Sequence, residues 1–414
     1  MKISVFGLGY VGSVTAACLA RDGHKVIGVD VNPEKVSRVA RGEPPVIEPG
    51  LGELLAEGVR AGRISATISA VDAVQATEVS LVSVATPSRP DGAPDLAALD
   101  AVCAQIGKAV DAKGSRHIVV IRSTVQPGTT QRCEGLIRQF AGAIPVHVAF
   151  NPEFLREGSA VADFLAPPYT IIGTTDPLAE QAVRELYGTI PAPVIVTEPA
   201  VAELVKLAAN AWHATKICFA NEIGRLAAGA AVSGRKVMDI LVQDTKLNTS
   251  AAYLRPGFAF GGSCLPKDVR SLLHFARHHN VEVPLLAAIH RSNQVPIERA
   301  VERVLAQGKP RVGMLGLAFK PGSDDLRESP AVELAERLIG KGCDVRILDP
   351  TVHGSKLVGA NRAYVEQHLP HLSKLLVADA KELVRHAELL LLMHDTAEFR
   401  AVVRQSGLSC IDLT

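Results

Sequence analysis

Ile3-Ser4-Val5-Phe6-Gly7-Leu8-Gly9-Tyr10-Val11-Gly12 decides the fold. An apolar run passes straight into Gly-x-Gly-x-x-Gly. Ser13–Arg21 then has helical character, and Lys25–Asp30 reads as a second strand. Strand, glycine turn, helix and strand make a β-α-β unit. Each glycine has a task in that setting. Gly7 makes the tight turn, Gly9 lets backbone approach a pyrophosphate, and Gly12 lets helix pack on strand. The helix N-terminus offers unpaired N–H groups and partial positive charge to phosphates. Asp30 closes the second strand at the position where an acid accepts hydrogen bonds from ribose hydroxyls. A carboxylate there repels a 2′-phosphate, so the expected cofactor is NAD rather than NADP. Lys35 either supplements these contacts or is an ordinary surface lysine.

Further apolar runs follow at Val79–Val84, His117–Ile121, Val146–Phe150 and Tyr169–Ile172, with helical patterns between several of them. This alternation predicts a mostly parallel, doubly wound sheet. From Pro199 to Ala231 the strand signal disappears, and the pattern reads as one long connecting helix or two shorter ones. Lys206, Asn210 and His213 are spaced i, i+4, i+7, which places them on one helical face. Such a stripe is either solvated or functional. At Arg311 a second α/β region begins and echoes the first. Val312–Phe319 aligns with Ile3–Tyr10, and Val345–Asp349 with Val26–Asp30, while Gly9 and Gly12 correspond to Ala318 and Pro321. The expected fold is therefore α/β: two Rossmann-like doubly wound domains joined by a long central helix. The expected boundaries are 1–197 for a dinucleotide-binding domain, 198–300 for a helical domain and 301–414 for a second Rossmann-like domain. A cleft between such units is the default place for chemistry.

The totals remove several classes. A 414-residue chain with 47% hydrophobic residues can build two or three cored domains. A net charge of +1 gives no basic excess for nucleic acid. Seven widely spaced cysteines, with no C-x-x-C, argue against a disulfide framework or structural zinc and suit a reducing compartment. Leu389–Leu392 is too short to span a bilayer and reads as a buried strand. The chain enters a strand directly after Met1, so no signal peptide is expected and the cytoplasm is the simplest location.

Arg255-Pro-Gly-Phe-Ala-Phe-Gly-Gly-Ser-Cys264-Leu-Pro-Lys-Asp268 carries the most chemical information. Most intracellular cysteines are inert core residues. Here glycines, which admit close backbone approach, stand beside the thiol, and Lys267 supplies a nearby cation that favours the thiolate. Asp268, four residues after Cys264, would share its helical face. Glu153 follows the strand ending at Phe150, and Thr124 follows the strand ending at Ile121, both at the C-terminal sheet edge where ligands bind. Glu153 is a general base or a surface acid. Thr124 bonds a ligand or water, or starts a turn.

The segments GLGYVG, VATPS, RSTVQPGT, NPEFLREG, ELVKLAANAWHATKICFANEIG, RPGFAFGGSCLPKD and GLAFKPGSDDLRESP span nearly the whole chain. Together they resemble the UDP-glucose/GDP-mannose dehydrogenase family. Asn210–His213, Gln243–Asn248 and Arg255–Phe260 resemble the branch acting on GDP-mannose, with UDP-glucose as the alternative substrate. The resemblance implies a four-electron oxidation of a sugar C6 alcohol by two NAD, through a thiohemiacetal and thioester on Cys264. The product would be a precursor for a uronate polymer such as alginate.

The resemblance also implies roles. Lys206 and Asn210 would stabilise charge on the C6 oxygen, and Asp268 with a water, or Lys206, would assist proton removal. Glu153 would activate water for hydrolysis, with Thr124 placing that water or the nicotinamide. Glu157, His213, Asn221, Tyr253, Arg255, Phe258, Gly261 and Lys320 match substrate positions. Tyr10, Val11, Asp30, Lys35, Thr86, Thr124, Lys267 and Arg327 match NAD positions. No metal is implied. A homodimer or dimer of dimers with the long helix at the contact is. A non-catalytic nucleotide-sugar binder is the rival from another class, and the intact Cys264, Lys206, Asn210 and Asp268 set speaks against it. Two departures stand out. Ala252 replaces an expected tyrosine, and relatives are expected to run somewhat beyond Thr414.

Overall fold

Eight short strands build the first sheet: β1 (Lys2–Phe6), β2 (Lys25–Val29), β3 (Ile64–Thr67), β4 (Val79–Val82), β5 (His117–Ile121), β6 (Val146–Phe150), β7 (Thr170–Gly173) and β8 (Val194–Thr197). They lie in a computed structural model that describes residues 1–229, 231–245, 256–278, 280, 283–352 and 359–414. Their order is β3-β2-β1-β4-β5-β6-β7-β8. Only β6 and β7 pair antiparallel. The first six strands follow the order typical of dinucleotide-binding folds, in which the chain reverses direction between β1 and β4. Ile3 sits opposite Val26 on one side and Val79 on the other. Because helices cover both faces, these strands read as continuous apolar runs rather than alternating ones. β3 and β8 escaped the sequence reading. Ile64-Ser65-Ala66-Thr67 holds one large apolar residue, and β8 is a partly exposed edge strand.

Contacts divide the chain into two units, Met1–Ala209 and Asn210–Thr414. The second holds β9 (Val312–Leu315), β10 (Val345–Leu348), β11 (Leu389–Leu392) and β12 (Ser409–Asp412), all parallel in the order β10-β9-β11-β12. The internal echo extends to backbone geometry. Gly7 has φ +93° and Gly316 has φ +106°. Leu8 N–H donates to Asp30 at 2.7 Å, and Leu317 N–H donates to Asp349 at 2.7 Å. The two acids then diverge. Asp349 also accepts from Ala318 N–H and from both the N–H and hydroxyl of Thr351, so each of its oxygens already takes two donors. The second unit uses its acid to hold its own turn.

Pro199–Gly229 is one continuous helix of 31 residues, not two. Among the described residues no helix is long and apolar enough to cross a membrane.

A buried polar ladder crosses β1, β4 and β5. The Thr77 hydroxyl donates to Ser4 at 3.1 Å, Ser4 and Ser80 hydroxyls meet at 2.7 Å, and Ser80 meets His117 Nε2 at 2.7 Å. His117 is fully buried, and burial followed by the nearby Lys113 ammonium pushes its pKa down to about 3. Its unfolded-state value is near 6.5. The folded state therefore keeps His117 neutral while the unfolded chain takes up a proton below that value. Stability contributed by the neutral ring is intact above about pH 6.5 and is lost as pH falls toward about 3, at up to about 1.4 kcal/mol per pH unit. Urea unfolding at several pH values from about 6 to about 4 tests this. The midpoint of His117→Gln should fall less steeply with acidification than that of the wild type, and equal slopes would rule the effect out.

Candidate active site

The N-terminal turn gives each of its glycines a separate physical reason. A Cβ on Gly7 would lie 2.7 Å from the Ser83 carbonyl oxygen, and one on Gly12 would lie 1.7 Å from the Gly7 carbonyl oxygen. A Cβ on Gly9 would meet nothing within 4 Å, so that position opens onto free space. Gly9 caps the helix Tyr10–Arg21, which has no side-chain cap and no acid in its first turn. The N–H groups of Tyr10 and Val11 thus lie in the uncapped first turn, the arrangement that accepts a pyrophosphate. Asp30 takes Leu8 N–H on one oxygen and Asn32 N–H on the other, at 2.7 and 2.9 Å. Two bonds leave lone pairs for ribose hydroxyls. Lys35 Nζ stands 3.6 Å from Asp30, partly exposed. These features fit NAD, whose adenosine ribose Asp30 would bind and whose phosphates the turn at Gly9 would take.

Two loops at the C-terminal edge of the first sheet carry further predicted residues. Thr86 is buried, and its hydroxyl donates to the Thr124 carbonyl at 2.7 Å, tying the loop after β4 to the loop after β5. Arg122 is buried and donates to Asn151 and to the Tyr187 hydroxyl, which bonds Asn151 at 2.8 Å. That network fixes the start of the turn on which Glu153 stands. Glu153 is 7% exposed, so it is not a surface acid. One oxygen accepts Leu155 N–H at 2.7 Å, and the other lies 3.0 Å from Lys206 Nζ. Lys206, 3% exposed, also stands over the Phe154 ring. Glu157 is half-buried beside Gly158, whose N–H is held by the Tyr10 hydroxyl and by Glu48 at 2.7 and 2.6 Å.

In the second unit Cys264 alone of the seven cysteines is exposed. Its carbonyl accepts Asp268 N–H at 2.9 Å, which makes it the capping residue of the helix Leu265–His278. A helix N-terminus favours a negative charge, and the thiolate is the nucleophilic form. Burial instead pushes Cys18 up to about 12 and raises Cys343 and Cys410. Asp268 is 1% exposed. One of its oxygens lies 2.7 Å from Lys267 Nζ, and the other accepts from the Asn210 side-chain amide. The Lys206, Asn210 and His213 stripe is buried or half-buried, so the solvated-face reading fails.

The loop before Cys264 is held by two asparagines. Asn221 accepts Gly257 N–H at 2.7 Å and donates to the Phe258 carbonyl at 3.0 Å. Asn293 accepts Phe260 N–H and donates to its carbonyl, both at 2.8 Å. A Cβ on Gly261 would lie 2.3 Å from the Glu328 carbonyl oxygen, and one on Gly262 would strike the Phe319 ring. Both glycines thus permit close chain-to-chain packing. Lys320 stands over that same Phe319 ring, and Arg327 pairs with Asp325 at 2.5 Å. Tyr253, Arg255 and Ala252 lie outside the described residues.

Sequence reasoning missed Asn293, Glu48 and the bidentate Arg270–Glu328 pair at 2.6 and 2.7 Å. Asn293 had a legible signal. It interrupts the buried apolar stripe Ile289, Ile297, Val301 at i+4 spacing. Glu48 and Glu328 lie in loops, where no periodicity marks burial. The described residues contain no group of His, Cys, Asp and Glu able to hold a metal.

Three segments match models of one family: its NAD-binding domain over residues 1–191, its central domain over 200–295 and its UDP-binding domain over 313–409. The chain belongs to the UDP-glucose/GDP-mannose dehydrogenase family. Members are NAD-dependent nucleotide-sugar dehydrogenases, so this chain is an NAD-using oxidoreductase with a nucleotide-sugar substrate. It is 45% identical to a GDP-mannose 6-dehydrogenase of Azotobacter vinelandii, across 100% of this chain and 96% of that protein. A solved ternary complex of GDP-mannose dehydrogenase from Pseudomonas aeruginosa is 46% identical, with TM-score 0.60, covering 100% of this chain and 96% of that one. A UDP-glucose dehydrogenase from Pyrobaculum islandicum is 37% identical with TM-score 0.91, covering 100% and 94%.

Replacing Asp30 by Ala removes the expected ribose acceptor together with the bond from Leu8 N–H. Charged hydrogen bonds contribute about 1.5–3 kcal/mol, so NAD affinity should fall about 10- to 100-fold by calorimetry. Unchanged affinity would take Asp30 out of the site.

Proposed function

We propose that this family member oxidises C6 of GDP-mannose from primary alcohol to carboxylate, giving GDP-mannuronate, with Cys264 as the covalent nucleophile. The exposed thiol at a helix N-terminus, one turn before a buried Asp268 bonded to Asn210, carries the reading. The full-length likeness to a GDP-mannose 6-dehydrogenase supports the choice of sugar. When bound, NAD accepts one hydride from C6 in each of the two oxidations.

The chain's own groups do the remaining work. In the first oxidation the C6 hydroxyl loses its proton to a water held by Asp268, or to Lys206 when that amine is uncharged, as the hydride leaves C6, and an aldehyde forms. The Cys264 thiolate adds to that carbon, and the resulting alkoxide of the thiohemiacetal is stabilised by Lys206 and Asn210 donors. Loss of a second hydride leaves a thioester. Glu153 takes a proton from water, the hydroxide adds to the carbonyl, and the thiolate departs as the leaving group. Lys206 Nζ, 3.0 Å from one Glu153 oxygen, and Leu155 N–H on the other hold that carboxylate in place for the proton transfer. Thr124 places the water or the nicotinamide.

We divide the work among three segments: 1–197 for NAD, 198–300 for the thiol and the subunit contact, and 301–414 for the nucleotide. Glu157, His213, Asn221, Tyr253, Arg255, Phe258, Gly261 and Lys320 are assigned to the substrate. Thr86, Lys267 and Arg327 join the dinucleotide set. Asn221 and Gly261 serve by shaping the loop. The seven cysteines remain thiols, which fits a reducing compartment and the cytoplasm. A homodimer, alone or doubled, suits the long helix, where Trp212 and Phe219 are 52% and 44% exposed at i+7 spacing with Lys216 over the indole.

The same chemistry on UDP-glucose is the second reading, favoured by the likeness to the Pyrobaculum enzyme. Initial rates with the two sugar nucleotides separate them. GDP-mannose should give two NADH per substrate. Cys264→Ser should lose complete turnover while still binding NAD, and full conversion to the uronate by that variant would end the thioester route. One NADH would indicate a simple alcohol dehydrogenase, and none a non-catalytic binder. Light scattering tests the dimer. Wild type should have at least twice the chain mass, and Trp212→Glu with Phe219→Glu should reduce it to one chain. A monomeric wild type removes the proposed contact.

A further inference from the structure

Glu203 has no role in the chemistry above, yet it is wholly buried on the long helix Pro199–Gly229. It is 0% exposed. One oxygen accepts both the N–H and the hydroxyl of Thr130, at 2.7 and 2.6 Å, and the other accepts Gly128 N–H at 2.7 Å. These donors form the start of the helix Thr129–Ala141, whose capping residue, Gly128, offers no side chain. The cap is supplied instead by a residue 75 positions away in sequence. Burial raises the Glu203 carboxyl, and the three bonds together with the helix dipole oppose that rise.

The position of this carboxylate ties together the residues assigned above. Gly128 closes the loop that begins after β5 and carries Thr124. Lys206 lies three residues after Glu203, on the neighbouring turn of the same helix. One end of the staple therefore sets the Thr124 loop. The other sets the rotation and height of the helix that brings Lys206 to 3.0 Å from Glu153.

We propose that Glu203 is a positioning residue for the oxidation, holding Lys206 against Glu153 and fixing the loop of Thr124. The proposal rests on the reading that Lys206, Glu153 and Thr124 serve the reaction. Glu203→Gln changes almost no volume, but it turns an NH2 group toward one of the N–H donors, so the staple cannot close. A displacement of about 1 Å in a reacting group costs about 10²-fold in rate.

Steady-state kinetics, thiol alkylation and thermal melts of Glu203→Gln, Thr130→Val and Lys206→Met test it. Glu203→Gln should lose about 10²-fold in kcat, with the iodoacetamide alkylation rate of Cys264 unchanged. Its loss should not add to that of Lys206→Met, because one acts through the other. Thr130→Val removes one of the three bonds and should lose about tenfold, which keeps the test valid should Glu203→Gln fail to fold. A lowered melting temperature with kcat intact in either folded variant overturns the proposal, because the cap is then structural only. If Lys206→Met keeps full kcat, the proposal falls together with the reading beneath it. If Lys206→Met is dead and Thr130→Val and Glu203→Gln are fully active, the proposal falls alone.

Discussion

A lysine and a glutamate, both almost wholly withdrawn from water and 3.0 Å apart, set the terms for the first unit. Desolvating either charge alone is prohibitive, and removing one partner of such a pair typically costs about 3–5 kcal/mol. The long helix must therefore present its ammonium to the turn after β6, and that turn must present its carboxylate to the helix. The surrounding structure makes this geometry the available one. Phe154 offers its ring to the ammonium, Leu155 N–H binds the second carboxylate oxygen, and Arg122, Asn151 and Tyr187 brace the turn from within the sheet. Buried charge is tolerated here because several groups share it.

The second unit solves a related problem with neutral donors. In the described part of its loop before the thiol, Asn221 and Asn293 bond the backbone of Gly257, Phe258 and Phe260. An amide can donate and accept at once, so one side chain satisfies both backbone groups of a loop residue. The glycines then let the loop lie against Glu328 and Phe319. Glu328 itself adopts φ +50°, unusual for a residue with a side chain, and its carboxylate is clamped by Arg270 two residues beyond Asp268.

Sequence alone revealed the first sheet well because its central strands are buried on both faces and the glycine turn has one stereochemical purpose. It failed at β3 and β8, where small residues and edge exposure weaken the apolar run. Cys264, Asp268, Lys206 and Glu153 were visible as residue types in telling company. Their partners were less so. The Asn210–Asp268 bond joins residues 58 positions apart, and Glu203 reaches 73 positions back to Thr130, and a periodicity argument sees no further than one helix or strand. The stripe of Lys206, Asn210 and His213 was correctly placed on one face, but only tertiary packing decides whether a polar face meets water or protein.

The divergence of the two aspartates has a consequence for protein engineering. Reinstating glycine at Ala318 and Pro321 would rebuild the shape of a phosphate-binding turn in the second unit without rebuilding its affinity for a dinucleotide. Asp349 already satisfies four donors from Leu317, Ala318 and Thr351. His394 also packs against the turn, where a Cβ on Gly316 would lie 2.6 Å from its ring. The lone pairs that Asp30 leaves open are, in Asp349, taken up by its own turn, and a designer would have to dismantle that turn to recover them.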